Sequence, residues 1–518
     1  MTATRRTMAL VFASLALAFS ATPLTPSVRA VGPTTWHVAH GDEASDYTEG
    51  SACAAPDFRT DGSWSDGGSG DGAYNSDNDA IQDAIDNASS GDTIFVCFGR
   101  YDFDTDLHNI DPGMNLTIVG DGIGETVFDG TDSTRLINSN PVGDVDNGGT
   151  LTLRDLSIED ARTASVFDNG GAVNADGLSL TRVSISGSDN AYNGGALYVE
   201  GNITIEDSTF TDNQSSEFGA VVYSWNPART VSIRNSVFHG NTAGGVGGAI
   251  YATTVTDTGS TFTNNSSVSG GAISATTVTL TGSTFSDNSV TASGGAILVT
   301  TLTVTGSTFT NNSSVSGGAV YARVAATVNR STFTNNSASD GGAILLSSMG
   351  PSIATVNRST FTNNSADIGG AISSRIVNAS ANTFTDNHAE NTGGAIYAYD
   401  SATITSSSFV GNDAGNEGGA IHSSTATISR SRFTRNTASE HGGAVILYLP
   451  TSDDLQKLRG NTFSRNAAES GGAITLGSCV APSRSQAARV LGANRFSGNR
   501  ATQQRLTNNI ERLTGACA

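Results

Sequence analysis

The chain has 518 residues, of which 60 are glycine, 7% are aromatic and 14% are charged. Its net charge of −21 and its single lysine, Lys457, exclude nucleic acid as a partner, because phosphate binding needs a basic surface. So few charges are also unlike a disordered chain, which is rich in charge. A chain of this length escapes the size limit on a single hydrophobic core if it is built from repeats.

The first thirty residues are typical of a signal peptide. Arg5 and Arg6 precede an apolar stretch from Met8 to Phe19, and Val28-Arg29-Ala30 matches the pattern of a cleavage site. A short membrane anchor is the alternative, but a membrane helix needs roughly 20 apolar residues. We therefore expect removal of residues 1–30, no membrane-spanning segment after that, and a secreted protein that is extracellular or associated with the cell surface.

Residues 31–76 form an acidic segment rich in glycine and aspartate. The run from Asp66 to Gly72 lacks the spacing of an EF-hand loop, so we interpret the segment as a flexible surface loop. A metal site remains the alternative there, on carboxylate density alone.

Four cysteines lie near the two ends of the chain. An exported protein meets an oxidising compartment, so two disulfides are expected. Proximity favours Cys53 with Cys97 and Cys479 with Cys517, but the sequence permits three pairings as well as buried free thiols. No Cys-x-x-Cys spacing indicates a zinc site.

A short amphipathic helix is predicted from Asp77 to Ser89, where the apolar residues recur on one side. Strands are predicted at 91–96 and 116–120. The end of a repeat protein must be covered to prevent edge-to-edge association, so we expect this helix to cap the N-terminal end. Residues 501–518 are expected to form a second cap.

From residue 170 onward two motifs alternate with a period of about 24 residues, which indicates a solenoid. Phe-x-x-Asn occurs twelve times, from Phe210/Asn213 to Phe496/Asn499, and Phe218-Gly219-Ala220-Val221 is a degenerate copy of the other motif. Gly-Gly-Ala-Val/Ile/Leu also occurs twelve times, starting at Gly170, Gly194, Gly247, Gly270, Gly294, Gly317, Gly341, Gly369, Gly393, Gly418, Gly442 and Gly471.

The apolar residues within one repeat alternate, as in Val278 and Leu280, which predicts three short strands per coil. The sequence thus predicts an all-β protein, a single-stranded right-handed parallel β-helix over residues 77–500. Between Asp92 and Asn499 there is room for about 17 coils, which would form a rod of roughly 80 Å at the spacing of paired strands. The recurring Phe should stack inside. The Asn should form an amide ladder and adopt a left-handed turn, and the glycines should form tight corners.

The two motifs together resemble the repeat of the polymorphic outer-membrane protein family, whose passenger regions are β-helical adhesins. The segment from Ala80 to Tyr101 is similar to the entry segment of the pectate-lyase-like superfamily. Full-length members of the first family end in an outer-membrane barrel, whereas few residues follow Asn499. The resemblance therefore implies a β-helix that is secreted or peripherally attached.

Carboxylates recur before the glycine pairs, and neighbouring coils should bring them together. This stripe either attracts a cation such as Ca²⁺ or is an ordinary solvated turn edge. Arg330 and Arg358 should lie side by side, where they either contact an anionic ligand or are plain surface residues. The stripe comprises Asp340, Asp367, Glu390, Glu417, Glu440 and Glu469, with His388 and His441 nearby.

No catalytic constellation, metal motif or phosphate-binding loop is recognised in the sequence, and Glu440-His441 lacks a repeated partner. Irregular coils instead carry Tyr223, Trp225 and Tyr448 in expected loop insertions, which suit contact with a sugar or a protein. We expect a binding or adhesion scaffold without catalysis, whose partner is an extracellular glycan or protein surface. A polysaccharide lyase or glycoside hydrolase is the alternative.

Overall fold

A computed structural model describes residues 33–39, 53, 58–59, 77–478, 484–502 and 509–514. Short gaps interrupt these ranges at 104, 109, 111–112, 132–134, 140–147, 164–168, 191 and 449–456. The predicted signal peptide, most of the acidic segment, and Cys479 and Cys517 lie outside the described residues.

The chain forms a right-handed parallel β-solenoid of about 14 turns, with 57% of its residues in strands and 4% in helices. The predicted fold class is confirmed. The predicted number of coils was too high, because several coils carry loops that lengthen them. One such loop contains a helix, Arg484–Ala493. None of the helices in the described ranges is long and apolar enough to cross a membrane.

The strands are short, and most hold three to five residues. Those of the first third are Thr35–Ala39, Phe58–Arg59, Thr93–Val96, Gly99–Asp102, Leu116–Gly120, Thr126–Asp129, Ile137–Asn138, Thr150–Glu159, Val173–Ala175, Gly177–Ser186, Asp189–Asn190, Leu197–Val199, Ile203–Glu206, Thr209–Thr211, Gln214–Ser215, Val222–Ser224, Val231–Arg234, Val237–His239 and Thr242–Ala243. Those of the middle are Ile250–Thr258, Thr261–Thr263, Ser266–Ser269, Ile273–Thr281, Thr284–Ser286, Ser289–Ser293, Ile297–Thr305, Thr308–Thr310, Val320–Asn329, Thr332–Thr334, Ile344–Leu346, Ile353–Asn357, Thr360–Thr362, Ser365–Ile368 and Ile372–Ser380. The last are Thr383–Thr385, His388–Thr392, Ile396–Thr405, Ser408–Val410, Asp413–Ala414, Ile421–Ser429, Arg432–Thr434, Thr437–Ala438, Val445–Tyr448, Leu458–Arg459, Thr462–Ser464, Ala467–Ala468, Ile474–Ser478, Arg495–Ser497, Arg500–Ala501 and Ile510–Thr514.

Each strand pairs in parallel with the equivalent strand of the next coil. Ile273–Thr281 pairs with Ile297–Thr305 without a shift, and Phe285 faces Phe309 in the neighbouring strands. Because side chains alternate along a strand, equivalent apolar residues stack inside the rod. The interior is therefore one continuous hydrophobic core from the first coil to the last.

The phenylalanines of the Phe-x-x-Asn motif form the predicted interior column. From Phe210 to Phe496, neighbouring ring centroids are 4.6–5.1 Å apart and the rings are nearly parallel. Such spacing lies within the preferred range for aromatic pairs. The column gives each coil one large buried side chain that fixes its register on the next coil.

The motif asparagines form the predicted amide ladder. Asn288 Nδ2 donates to Asn312 Oδ1 at 3.0 Å, and Asn312 Nδ2 donates to Asn336 Oδ1 at 3.0 Å. The predicted left-handed conformation, however, belongs to the preceding position, as in Asn264 with φ 56° and Asn311 with φ 56°. The left-handed residue turns the chain at the surface, which leaves the motif asparagine free to point inward.

The two glycines of each pair have different roles. Gly317 has φ +69°, whereas a Cβ on Gly318 would lie 2.0 Å from the carbonyl oxygen of Gly342 in the next coil. The first glycine therefore permits the turn and the second permits close approach of backbones. The degenerate copy is displaced by one residue from the predicted alignment, because Gly219, with φ +57°, occupies the first glycine position.

Helix α1, Asp77–Asn87, covers the N-terminal coils with its buried apolar side, as predicted. The parallel sheet begins before residue 77, because Thr35–Ala39 pairs with Thr93–Val96. It also continues past residue 500, because Ile510–Thr514 pairs with Ile474–Ser478. Helix α2, Arg484–Ala493, was not predicted. Cys53 and Cys97 form the first of the two expected disulfides.

Candidate functional site

A groove follows the corner of the rod at which the Gly-Gly pairs lie. One wall consists of the residues that precede each pair, which form single parallel bridges such as Glu417–His441. The other wall consists of the residues that follow Gly-Gly-Ala-Val/Ile/Leu, which pair in register. The walls contact each other, because the rings of Phe218 and Tyr223 are 6.3 Å apart and His422 Nε2 is 3.4 Å from Glu417 Oε2. We call this surface the corner groove.

The N-terminal part of the corner groove holds a stack of aromatic rings. Tyr198 lies 5.6 Å from Tyr223, and Tyr223 lies 5.5 Å from Tyr251, between ring centroids. Phe218 and Trp225 lie 5.0 Å and 4.9 Å from Tyr251. Trp225 is 51% exposed, whereas the other rings are half-buried. Burial raises the pKa of Tyr223 and of Tyr251, so both hydroxyls remain neutral hydrogen-bond donors at neutral pH.

Two of the predicted contact residues lie in strands, and the third begins a loop between two strands. Tyr223 lies in Val222–Ser224, Trp225 directly follows that strand, and Tyr448 ends Val445–Tyr448. All three line the corner groove, but Tyr448 is roughly 45 Å further along the rod at about 4.8 Å per coil. Tyr223 and Trp225 therefore belong to one site, and Tyr448 belongs to another part of the groove.

The middle of the corner groove is a cleft of about 360 Å³ around Asp340. Burial raises the pKa of Asp340, and its Oδ1 atom has no hydrogen-bond partner. Arg375 pairs with Asp400 at 2.8 Å and lies 5.9 Å from the ring of Tyr399. The other side chains that line this cleft include Ser316, Tyr321, Met349, Ser373 and Tyr397.

The C-terminal part of the corner groove brings together five polar side chains, which we call the Glu417 cluster. They are Glu417, His422, Glu440, His441 and Tyr448. The Tyr448 hydroxyl donates to Glu417 Oε2 at 2.8 Å, and His422 Nε2 contacts the same oxygen. Donor atoms of Glu417, Glu440 and His441 all lie within 4.8 Å of one another. Two carboxylates and an imidazole in this arrangement are able to hold a divalent cation or to transfer protons.

Opposing effects set the charge of Glu417. Burial alone would raise its pKa, but the hydrogen bonds from His422 and Tyr448 outweigh burial, and the pKa of Glu417 is lowered. The pKa of Tyr448 is raised by burial and by its bond to Glu417. At neutral pH the cluster therefore holds an ionised Glu417 beside a neutral Tyr448.

The predicted acidic stripe is not continuous. Asp340 and Glu417 occupy the same wall of the groove, but Ile368 and Thr392 lie between them in the register. Asp367, Glu440 and Glu469 lie one residue earlier in their coils, Glu390 lies two residues earlier, and His388 pairs instead with Asp413 at 3.1 Å. Only Glu417 and Glu440 of the described stripe approach each other together with a histidine. Carboxylates of neighbouring coils therefore come together as expected at the Glu417 cluster, but they do not form a continuous row along the rod.

Arg330 and Arg358 lie side by side at a different corner, as expected. Both have left-handed backbones, with φ 49° and 51°, and they line a shallow pocket of about 160 Å³ with Thr305, Asn329 and Asn357. This pocket is separate from the corner groove.

Sequence reasoning missed Tyr251, Asp340, Glu417 and His422 as members of a common groove. Two positions in each repeat could have identified these residues. One directly precedes Gly-Gly and the other directly follows Gly-Gly-Ala-Val/Ile/Leu, and every large or ionisable residue at these positions faces the groove. The pair Glu440-His441 is not repeated in other coils, but the structure brings Glu417 of the preceding coil beside it.

The fold and the corner groove define a right-handed parallel β-helix with repeated Gly-Gly corners. A family model of the right-handed beta helix region matches residues 274–438. A model of the Chlamydia polymorphic membrane protein repeat matches residues 235–253 and 259–276. The resemblance to this repeat is thus confirmed at those residues. No curated protein matches the sequence.

Solved structures with similar folds include three polysaccharide-active proteins. The catalytic unit of an α-1,3-glucanase from Streptomyces thermodiastaticus is 15% identical with a TM-score of 0.29, and the match covers 81% of this chain and 64% of that one, less than two thirds. A mannuronic acid specific lyase from human gut microbiota is 11% identical (TM-score 0.25; 85% and 89% covered). The A-module of a mannuronan C-5 epimerase from Azotobacter vinelandii is 13% identical (TM-score 0.22; 91% and 99% covered).

Proposed function

We propose that this chain is a secreted or cell-surface β-helix that binds an extracellular glycan along the corner groove without cleaving it. The observation that carries the proposal is the stack of Phe218, Tyr223, Trp225 and Tyr251, which ends in a half-exposed indole ring. Sugar rings pack their apolar faces on aromatic side chains, while their hydroxyls require hydrogen-bond partners nearby.

The corner groove supplies both aromatic surfaces and hydrogen-bonding groups along the length of the rod. Its aromatic end is followed by the cleft around Asp340 and then by the Glu417 cluster, and the ring of His422 stacks on Tyr397 at 4.9 Å to connect the last two. A linear polymer that lies along the rod would therefore contact apolar rings first and ionisable groups further on. The stacked coils hold these contacts in fixed positions, which limits the entropy lost on binding.

Binding to immobilised extracellular polysaccharides tests this proposal. We expect Trp225→Ala to weaken binding about tenfold or more, which corresponds to about 1.4 kcal/mol. The matched control is Val237→Ala, because Val237 is also an exposed apolar residue but lies on the strand of the phenylalanine column, away from the groove. Binding to an extracellular protein and to no glycan, or equal losses in both variants, would count against the proposal.

A polysaccharide lyase or glycoside hydrolase is the second candidate, and the Glu417 cluster favours it. The carboxylates of Glu417 and Glu440 lie close enough to act on one bond, and glycoside hydrolysis uses such a carboxylate pair. Incubation with acidic and neutral polysaccharides, with and without Ca²⁺, checks for unsaturated or reducing-end products. Product formation that Glu417→Gln and Glu440→Gln abolish would replace the binding-only function with this one.

A further inference from the structure

One wall of the corner groove changes from stacked rings to a small side chain after Tyr251. The residues that follow each other in register are Tyr223, Tyr251, Ser274, Leu298 and Tyr321. The aromatic column therefore stops at Tyr251, where the next coil contributes only a serine. A notch of about 150 Å³ lies there, lined by Trp225, Val246, Tyr251, Ser274, Ala275, Thr276, Leu298, Val299, Thr300 and Arg323.

We propose that this notch over Ser274 binds one ring of an acidic sugar, which stacks on Tyr251 and pairs its carboxylate with Arg323. The inference rests on the proposed glycan binding and names the sugar class and its subsite. It concerns a position that sequence reasoning did not select, because the feature is a small side chain that directly follows the stacked rings of Tyr223 and Tyr251.

The two faces of the Tyr251 ring have different surroundings. Phe218, Tyr223 and Trp225 all belong to the preceding coil, and all three rings lie nearly parallel to Tyr251 at 4.9–5.5 Å. Tyr223, which pairs in register with Tyr251, covers the face that points toward the N-terminal end of the rod, whereas Trp225 also lines the notch. The opposite face points toward the coil of Ser274 and borders the notch.

The height of the notch suits one ring. Tyr251 and Leu298 are two coils apart, which corresponds to roughly 9.6 Å at about 4.8 Å per coil. Aromatic and sugar rings pack about 3.5–4.0 Å from a neighbouring surface. One ring therefore fits between Tyr251 and Leu298 in the place that a tyrosine would occupy if residue 274 continued the column.

Arg323 gives the notch a charge preference. It lines the notch from the far side, and within the described residues no carboxylate forms a salt bridge with it. Several other arginines on the rod are paired with carboxylates, as in Arg234 with Glu206 at 2.9 Å and Arg375 with Asp400 at 2.8 Å. A guanidinium group binds a carboxylate with two parallel hydrogen bonds, so a sugar acid fits better than a neutral sugar.

The test compares binding of immobilised glucuronate, galacturonate and mannuronate oligosaccharides with binding of their carboxyl-reduced, neutral counterparts. We expect the wild-type chain to bind at least one acidic member about tenfold more tightly than its neutral counterpart, with a loss of preference at high salt. Arg323→Gln should abolish that preference. Ser274→Tyr should fill the notch and weaken binding about tenfold or more.

Ser274→Tyr places a side chain that the same column already accommodates at Tyr251 and Tyr321, so the variant should fold and melt at or above the wild-type temperature. Its control is Thr279→Tyr, because Thr279 is exposed on the same strand but lies outside the groove. Wild-type binding by Ser274→Tyr, or equal affinity for acidic and neutral sugars, would overturn the inference while Trp225-dependent binding upholds the proposed function. Failure to bind any glycan would overturn both.

Discussion

Asp257 pairs in register with Leu280, and both side chains lie inside the solenoid, 2% and 0% exposed. Neither carboxylate oxygen of Asp257 makes a hydrogen bond of good geometry, although the hydroxyls of Ser260 and Ser283 are near. Burial therefore raises the pKa of Asp257 above the value of about 3.9 expected in the unfolded chain. The ionised carboxylate is an interior charge that opposes folding.

Replacing this charge should stabilise the rod at neutral pH. Because the folded-state pKa is raised, the penalty is absent below about pH 3.9 and grows as pH rises through the folded-state pKa. We expect Asp257→Leu to increase the free energy of unfolding by roughly 1–3 kcal/mol at pH 7, and by less at pH 3.5. Urea unfolding at both values checks this. The exposed Asp287→Asn serves as control, and a less stable Asp257→Leu at pH 7 would contradict the assignment.

The second glycine of each pair should tolerate no side chain. A Cβ on Gly318 would lie 2.0 Å from the carbonyl oxygen of Gly342, so Gly318→Ala must push two coils apart and should cost roughly 3 kcal/mol or more. Gly306 also has a left-handed backbone, φ +64°, but no atom lies within 4 Å of its Cβ position. Gly306→Ala should therefore cost only about 1 kcal/mol. Equal losses in thermal unfolding would disprove the close-approach argument.

Adjacent asparagines allow the amide ladder to be tested separately from the turn. Asn312 Nδ2 donates to Asn336 and to the carbonyl of Phe285 at 3.1 Å, while its Oδ1 accepts from Asn288. Asn312→Ala leaves these buried groups unsatisfied and should cost roughly 2–3 kcal/mol. Asn311 is exposed with φ 56°, so Asn311→Gly should change stability by less than about 0.5 kcal/mol. Chemical denaturation should therefore give a clearly lower free energy of unfolding for Asn312→Ala than for Asn311→Gly.

The interior of the rod was predictable because it repeats. A residue that recurs every coil, such as Phe309 or Asn312, must stack on its own copies, so its role follows from its period alone. The left-handed turn was placed one residue too late, because Asn311 and Asn312 are the same residue type and the period does not distinguish them. The degenerate copy at Gly219 was misaligned for a similar reason, since its neighbouring Phe218 occupies a groove position.

The corner groove was not predictable in the same way, because it consists of residues that do not repeat. Glu417 meets Tyr448 across coils of unequal length, and their approach depends on the register between the strands Ile421–Ser429 and Val445–Tyr448. The notch at Ser274 was hidden for another reason. A serine that follows stacked tyrosines has meaning only after the column is known, and sequence spacing alone did not identify that outward-facing column.

The Glu417 cluster yields a prediction about pH. Tyr448→Phe removes the hydrogen bond that reaches Glu417 Oε2 at 2.8 Å but keeps the ring beside His422. The pKa of Glu417 should then rise, because one of the two bonds that favour the ionised form is lost while burial, which disfavours that form, remains.

This shift has a consequence for stability. A carboxylate whose folded-state pKa is lowered stabilises the fold above its unfolded value, about 4.3, and loses that contribution as pH falls through the folded-state pKa. The Tyr448→Phe variant should therefore begin to unfold in acid at a higher pH than the wild-type chain.

A ¹³C titration of the Glu417 carboxyl measures the pKa shift directly. The Glu417 resonance is assigned by its absence in Glu417→Gln. Tyr399→Phe is the control, because Tyr399 is an exposed groove residue with no bond to Glu417. An unchanged or lower pKa of Glu417 in Tyr448→Phe would show that His422 alone keeps this carboxylate ionised.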